Sequence, residues 1–414
     1  MRARARRLGA PATFAVLATV ALAWDGMLTV AFTDYEHEAE PAFDALRAGH
    51  LHAFLGHLPA YGGSLIMRAP FALLPSLWHG GALAVYRAAA APCLLAAAVL
   101  GLVVWNELER RGRAGAAWLA LGLCVANPIT LRALEIGHPE EVLGAALCAG
   151  AVLAAVRDRP GLAGLLLGLA VANKGWAVLA IPPVAFALNR GRVRAGAVAA
   201  GVAGIVLAPM VLGGSSGLST GRGIAAATGP GFTPQQIWWF LGHPGTVVGL
   251  YGVQHGSRLP PGWLTSVGHL LVLVAGFAAA GAWWLVRRRR VGAYEPLLLL
   301  AFVMLVRCLV DPWDIIYYTL PFLFALVAWE GLERRRLPVA SLAATLGLWV
   351  CWELVGPPLS FDLRSITFLI WALPVAAVMG ARLYAPAWLE RRLMPVARGV
   401  AGRLPSLAPA LSSR

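Results

Sequence analysis

Lysine is almost missing from this chain: Lys174 stands alone against 33 arginines in 414 residues. Charge of any kind is scarce, at 13% of residues, where a soluble domain carries about a quarter. No polar stretch is long enough to build a soluble domain. The five cysteines (Cys93, Cys124, Cys148, Cys308 and Cys351) all fall inside apolar runs. None has a Cys or His partner at metal-ligand spacing, which excludes a readable zinc site or disulfide framework. What the chain has instead is 59% hydrophobic residues and a mean hydropathy of +0.70. Apolar runs of about 18 or more residues recur from end to end, each long enough to cross a bilayer as a helix. The composition predicts an all-α, polytopic transmembrane helical bundle.

The net charge of +14 raises the question of nucleic acid, and its distribution answers it. Basic residues form no continuous patch with interleaved aromatics. They sit in short clusters between apolar runs, such as Arg2 to Arg7, Arg110 to Arg113, Arg287 to Arg290 and Arg334 to Arg336. That is the positive-inside bias, so the charge reports topology. The first apolar run follows a basic N-terminus but lacks a small-residue cleavage site, and it reads as a retained span.

Ten runs lie near 11–32, 81–104, 114–130, 139–156, 195–212, 263–286, 294–310, 315–332, 337–355 and 365–383. The stretch 161–188 is split by Asn173-Lys174-Gly175 into arms of about 13 residues, each about 20 Å long against a core of about 30 Å. It is either one buried helix or a short hairpin with Lys174 at its tip. Charge bias favours the hairpin. Counted as two spans, it puts every strongly basic connection on one side of the membrane. Segments 33–80, 131–138, 213–262, 311–314 and 356–364 then share the other side. The expectation is about 12 spans within residues 1–384, and a cytoplasmic tail over 385–414. Residues 33–80 read as short interfacial helices, and residues 213–262 as a long external binding loop without regular structure.

The segment Thr33-Asp34-Tyr35-Glu36-His37-Glu38-Ala39-Glu40 follows the first span directly and carries four carboxylates. A catalytic base, a metal site and a solvated loop all fit such a cluster. Tyr35 and the later Pro59-Ala60-Tyr61-Gly62-Gly63 look more like a packed, sugar-facing surface than a tether. Asp25 and Arg87 lie inside spans, where an ionisable residue is paired or functional, and an Asp25–Arg87 ion pair is the leading reading. Arg307 and Asp311 share a helix face, for a local salt bridge or a donor phosphate. His138 and Glu141 also share a face, as metal ligands do, with a hydrogen-bonded helix start as the preferred reading. Trp238-Trp239 offers a surface for stacking on a sugar.

These stretches resemble the GT-C superfamily of polytopic glycosyltransferases, most closely glycosyltransferase family 87, the polyprenyl-phosphate-mannose-dependent α-mannosyltransferase group. The resemblance rests on Asp34-Tyr35-Glu36 after the first span, Arg68-Ala69-Pro70-Phe71-Ala72-Leu73-Leu74-Pro75 and Asn127-Pro128. It continues through Gly137-His138, where that family more often has Gly-Gln, and the Gly-rich run from Gly161 to Lys174. It implies a membrane enzyme that moves a sugar, mannose in that group, from a polyprenyl phosphate to an extracytoplasmic glycan or glycolipid. By motif position Asp34 is the general base, with Glu36 as second choice. Lys174 and Arg307 are the expected donor-phosphate ligands, with an ion pair to Glu135 or Glu140 on the neighbouring turn as the alternative for Lys174. Tyr35, Tyr61, His138, Trp238 and Trp239 are the expected substrate contacts. No cofactor is called for, and a divalent metal stays a minor alternative. The expected partners are the donor, the acceptor and membrane lipids, with no nucleic acid, and the site faces the non-cytoplasmic side of the cell membrane. A transporter or flippase for a lipid-linked or small polar solute is the competing reading. Repeated halves would mark one, yet the broken segment and the acidic loop each occur once.

Overall fold

The computed structural model describes residues 2–213, 231–249, 252–287, 292–333, 337–354 and 360–388. The clusters at 288–290 and 334–336, residues 214–230 of the long loop, 355–359 and the tail beyond 388 lie outside the described residues. The chain is a helical bundle, as its composition requires. Helix α1 (Arg2–Asp25) leads into four short helices, α2 (Asp34–Glu38), α3 (Glu40–Arg47), α4 (Leu51–Gly56) and α5 (Gly62–Leu73). The bundle continues through α6 (Ala82–Arg110), α7 (Ala114–Val125), α8 (Pro128–Ile136), α9 (Pro139–Val156), α10 (Pro160–Asn173), α11 (Ile181–Ala187) and α12 (Arg192–Gly213). After the long loop come α13 (Gly262–Arg287), α14 (Glu295–Val310), α15 (Leu320–Glu333), α16 (Val339–Trp349) and α17 (Phe361–Tyr384).

Among the described residues six helical stretches are each long and apolar enough to span a membrane, one of them running from Ala114 to Ile136 through α7 and α8. The other apolar segments of the expected dozen are shorter. Length separates from position here. The 18-residue α9 is 89% buried, whereas the 22-residue α12 is 11% buried. Helices α9, α14 and α15 therefore form the centre, with Leu297 to Ala301 all inaccessible, while α12, α13 and α17 sit at the edge. Helix α10 packs on α12 through Gly164 and Gly168, where a Cβ would run into the backbone oxygens of Ala195 and Ala199. Small residues four apart permit that approach, the usual device of apolar spans.

The 161–188 stretch is a hairpin. Both of its ends lie together: the Arg190 amide donates to Asp158 at 3.4 Å, and Gly191 stands against the ring of Pro160. Lys174, in extended conformation between α10 and a 3-10 turn over Gly175–Ala180, is the apex.

Polar ties sort the connections into two ends. At one end Asp34 meets His138, the amides of Thr233 and Ile237 donate to Pro312 and Leu309, and Arg132 pairs with Glu353 at 3.0 Å. At the other, Arg111 joins Glu107, Tyr294 and the Leu332 carbonyl. The grouping matches the charge pattern. Two expectations need correction. The long loop is not without regular structure: His243–Gly249 (β1) and Gly252–Leu259 (β2) form an antiparallel hairpin. Arg258 fastens it, through two 3.0 Å bonds to Asp362 at the start of α17. Asp25 and Arg87 do not pair. Helix α1 ends at Asp25, and Arg87 donates to the Met27 carbonyl at 2.8 and 3.1 Å while its guanidinium lies 4.8 Å over Trp24.

Candidate active site

The site begins with three helix starts. Thr33 caps α2 and puts Asp34 at its first position. Asn127 caps α8 with its side chain on the Ile129 amide, and Pro128 sets the first helical turn. Helix α8 then stops at Gly137, whose φ of +114° is left-handed. Two residues later Pro139 starts α9 with Glu140 and Glu141 in its first turn, where the helix dipole favours carboxylates. Gly137 also admits Asp34, because a Cβ there would overlap the Tyr35 amide nitrogen. Gly137→Ala is therefore expected to cost about 1–3 kcal/mol from the left-handed backbone alone and to push Asp34 away from His138. A lowered thermal unfolding midpoint together with reduced turnover would show it, and an unchanged midpoint would refute the close approach.

His138 stands between two carboxylates. Its Nε2 lies 3.0 Å from Asp34 Oδ2 and its Nδ1 lies 2.6 Å from Glu140 Oε1. Both nitrogens donate only if the ring is an imidazolium. Burial opposes that charge, but the Glu140 carboxylate and the hydrogen bonds to Asp34 and Glu140 outweigh it and hold the ring at about 9, above the ordinary 6.5. A raised folded-state value means the stabilisation is complete below about 6.5 and is lost as pH rises through about 9. The gap in unfolding midpoint between the wild type and His138→Gln should accordingly close over that window. A gap that is constant from pH 6 to 9.5 would contradict the charged ring.

Glu140 is the hub. Besides His138 it meets Lys174 Nζ at 3.2 Å and Arg68 Nη2 at 3.5 Å, and its backbone oxygen accepts from Asn173 at 2.8 Å. Lys174 also reaches Glu141 at 3.3 Å and lies 4.0 Å from the centre of the Tyr61 ring. Glu135, the other carboxylate in reach of the hairpin tip by sequence, pairs with Arg132 instead. Arg307 donates to the Tyr318 carbonyl at 3.1 Å and lies over the rings of Trp176 and Tyr318. Trp176 Nε1 in turn donates to Glu141 at 3.3 Å. The arginine makes no ion pair with Asp311, whose carboxylate accepts from the Trp313 amide.

Asp34, Tyr61, His138, Lys174 and Arg307 thus gather at one end of the bundle. The other expected site residues do not join them. Glu36 turns back to accept from the Phe32 amide at 2.8 Å, while its own amide caps on Thr33, so it closes the start of α2. Tyr35 is fully buried and stacks on Tyr86 at 4.2 Å, with Phe43 beside it. It is a packing residue rather than a substrate contact. Trp239 is also fully buried, with Nε1 on Asp362 at 2.6 Å, and Trp238 Nε1 is committed to the Val310 carbonyl. Those rings anchor the β-hairpin instead of offering a free stacking face. His138 and Glu141 do not converge as a ligand pair, because the first faces Asp34 and Glu140 and the second faces Lys174 and Trp176.

Sequence reasoning passed over Arg68 and Tyr317 as working parts, and it considered Glu140 only as a partner for Lys174, a pairing the structure contains. Arg68 is buried against Glu140 and, 5.9 Å away, the Phe43 ring. Tyr317 packs against His138 in a tilted arrangement, with ring centres 4.7 Å apart. The signal for Arg68 was its place in an otherwise apolar helix, where a charge requires a partner.

The arrangement places a carboxylate of 19% exposure beside an imidazolium and a lysine and arginine nearby. That set can accept a proton and stabilise a departing anion. The model of glycosyltransferase family 87 matches residues 62–312, with Asp34 lying ahead of the match and His138, Glu140, Lys174 and Arg307 inside it. No curated protein matches the chain. With a match over more than half its length, and helices fit to span a bilayer, the chain belongs to glycosyltransferase family 87 and is a membrane glycosyltransferase.

Proposed function

We propose that the enzyme transfers a sugar, mannose in the group it resembles, from a polyprenyl-phosphate donor to a hydroxyl of a glycan or glycolipid on the non-cytoplasmic face. The observation that carries this reading is the run of contacts from Asp34 through His138 and Glu140 to Lys174. It joins the segment after the first helix to the tip of the hairpin.

Asp34 takes the proton from the acceptor hydroxyl as that oxygen attacks the anomeric carbon. The carbon–oxygen bond to the phosphate breaks, its electron pair leaves with the phosphate, and the configuration inverts. His138 orients Asp34 through the 3.0 Å contact and is itself held by Glu140. Arg307 forms no ion pair among the described residues, so its charge is available to the leaving phosphate. Lys174 already answers two carboxylates, and it contributes by neutralising Glu140 and Glu141 so that they do not repel that phosphate. A basic cluster deep in low dielectric stabilises growing negative charge far better than the same cluster in water.

The test is a transfer assay with purified protein in liposomes, supplied either with labelled polyprenyl-phosphate mannose or with a labelled nucleotide sugar. The reading requires transfer from the lipid-linked donor. Transfer from the nucleotide sugar alone would replace it.

A further inference from the structure

We propose that a groove on the outer surface of α6, beside the end of α1, binds an anionic membrane phospholipid with its phosphate on Arg87. The groove is a cavity of about 530 Å³ lined by Trp78, Gly81, Leu83, Ala84, Arg87 and Ala88. Arg87 is the only charged residue in that lining. Trp24, beneath its guanidinium, lines a second cavity of about 630 Å³ along α1, together with Asp25. Trp24 and Trp78 are 66% and 60% exposed, with Leu77 at 81% beside them. Exposed tryptophans at a helix end mark the membrane interface. Arg87 lies about 8 Å along α6 from its start at 1.5 Å per residue, a depth from which a long arginine side chain reaches back to lipid phosphates.

Arg87 uses Nε and Nη2 on one backbone carbonyl and one face on a ring. No carboxylate neutralises it among the described residues. A guanidinium at the interface is a strong partner for phosphate, and basic residues there recruit anionic lipids. The groove has no acid to receive an ammonium, so it fits a headgroup whose sole charge is the phosphate, as in phosphatidylglycerol. It is also walled off from the candidate active site. Tyr86, next to Arg87, stacks on Tyr35, and its hydroxyl donates to the Leu134 carbonyl. The lipid is therefore distinct from the donor.

The site has a structural consequence for the reaction, which rests on the reading of Asp34 given above. Arg87 holds Met27, in the link that runs from α1 to Asp34, and Tyr86 holds Tyr35. An occupied groove steadies both attachments of the segment carrying Asp34.

Native mass spectrometry of the full-length protein in detergent, with phosphatidylglycerol or phosphatidylcholine added, tests the site without reference to transfer. The wild type is expected to retain one phosphatidylglycerol at least tenfold more than phosphatidylcholine. Arg87→Gln should lose that preference. Ala84→Phe, which fills the groove and leaves Arg87 in place, should lose it too and serves if the first variant fails to fold. Equal retention of both lipids by the wild type, unchanged retention in Ala84→Phe, or displacement of the bound lipid by stoichiometric polyprenyl phosphate would each overturn the proposal.

Discussion

Asp34→Asn is expected to lower transfer by about 100-fold or more while the protein keeps its fold, the loss typical of a missing general base. The amide occupies the same space and accepts from His138 Nε2, so the contact between the first connection and α9 survives. What disappears is the capacity to take a proton. The fall should appear in kcat and in kcat/KM alike, because the base acts in the transition state and not in substrate binding. Glu36→Gln provides the contrast. Glu36 closes the start of α2 through the Phe32 amide, and its replacement should change the unfolding midpoint slightly and turnover little. Near wild-type transfer by Asp34→Asn with loss in Glu36→Gln would move the base to Glu36.

Glu140→Gln is the second large effect, and it falls on stability first. Glu140 is inaccessible and meets His138, Lys174 and Arg68. Taking one charge from a buried cluster leaves the others uncompensated, a loss of about 3–5 kcal/mol in comparable cases. Here three cations face the vacated position, with Asp34 beside His138 and with Glu141 and Glu38 near Lys174 as the remaining anions. Transfer should fall as well, because a neutral amide at 140 can still accept from Nδ1 but no longer supplies the charge that holds His138 as an imidazolium facing Asp34. Lys174→Met isolates the lysine. It leaves Glu140 with His138 and Arg68, so it should be milder in stability than Glu140→Gln. The double variant should recover part of the stability lost by Glu140→Gln, since it removes one of the uncompensated cations. A double variant whose losses simply add would show that the two side chains do not interact.

The bundle and its two polar ends were legible in the sequence for a definite reason. Apolar run length and the placement of arginine clusters are one-dimensional signals. The hairpin at 161–188 emerged from the same logic, because only two short arms kept the later clusters on one side. Asp34, His138 and Lys174 were visible because each is an ionisable residue at the edge of an apolar run. Side-chain direction was not visible. Tyr35 and Glu36 lie one and two positions from Asp34, yet the turn of α2 sends one into the core and the other back to the chain. Trp238 and Trp239 look like a sugar platform until Val310 and Asp362 are seen to take their indole nitrogens. Arg87 faced Asp25 on paper, but a helix that ends at Asp25 places the Met27 carbonyl nearer. Glu140 was legible as a partner for Lys174, but its contacts with His138 and Arg68 depend on α5, α9 and the hairpin apex meeting, three elements separated by up to about 100 residues, and no local pattern encodes that meeting.

The central claim is that the donor's phosphate lies at the polar end built by α9, the hairpin apex and α14. A photoreactive polyprenyl-phosphate sugar analogue, crosslinked to the protein in liposomes and mapped by peptide mass spectrometry, tests it most directly. The account predicts adducts in the peptides carrying Lys174 and Arg307, suppressed by excess unlabelled donor. Competable adducts confined to the opposite end, around Glu107, Arg111 and Arg157, would contradict it.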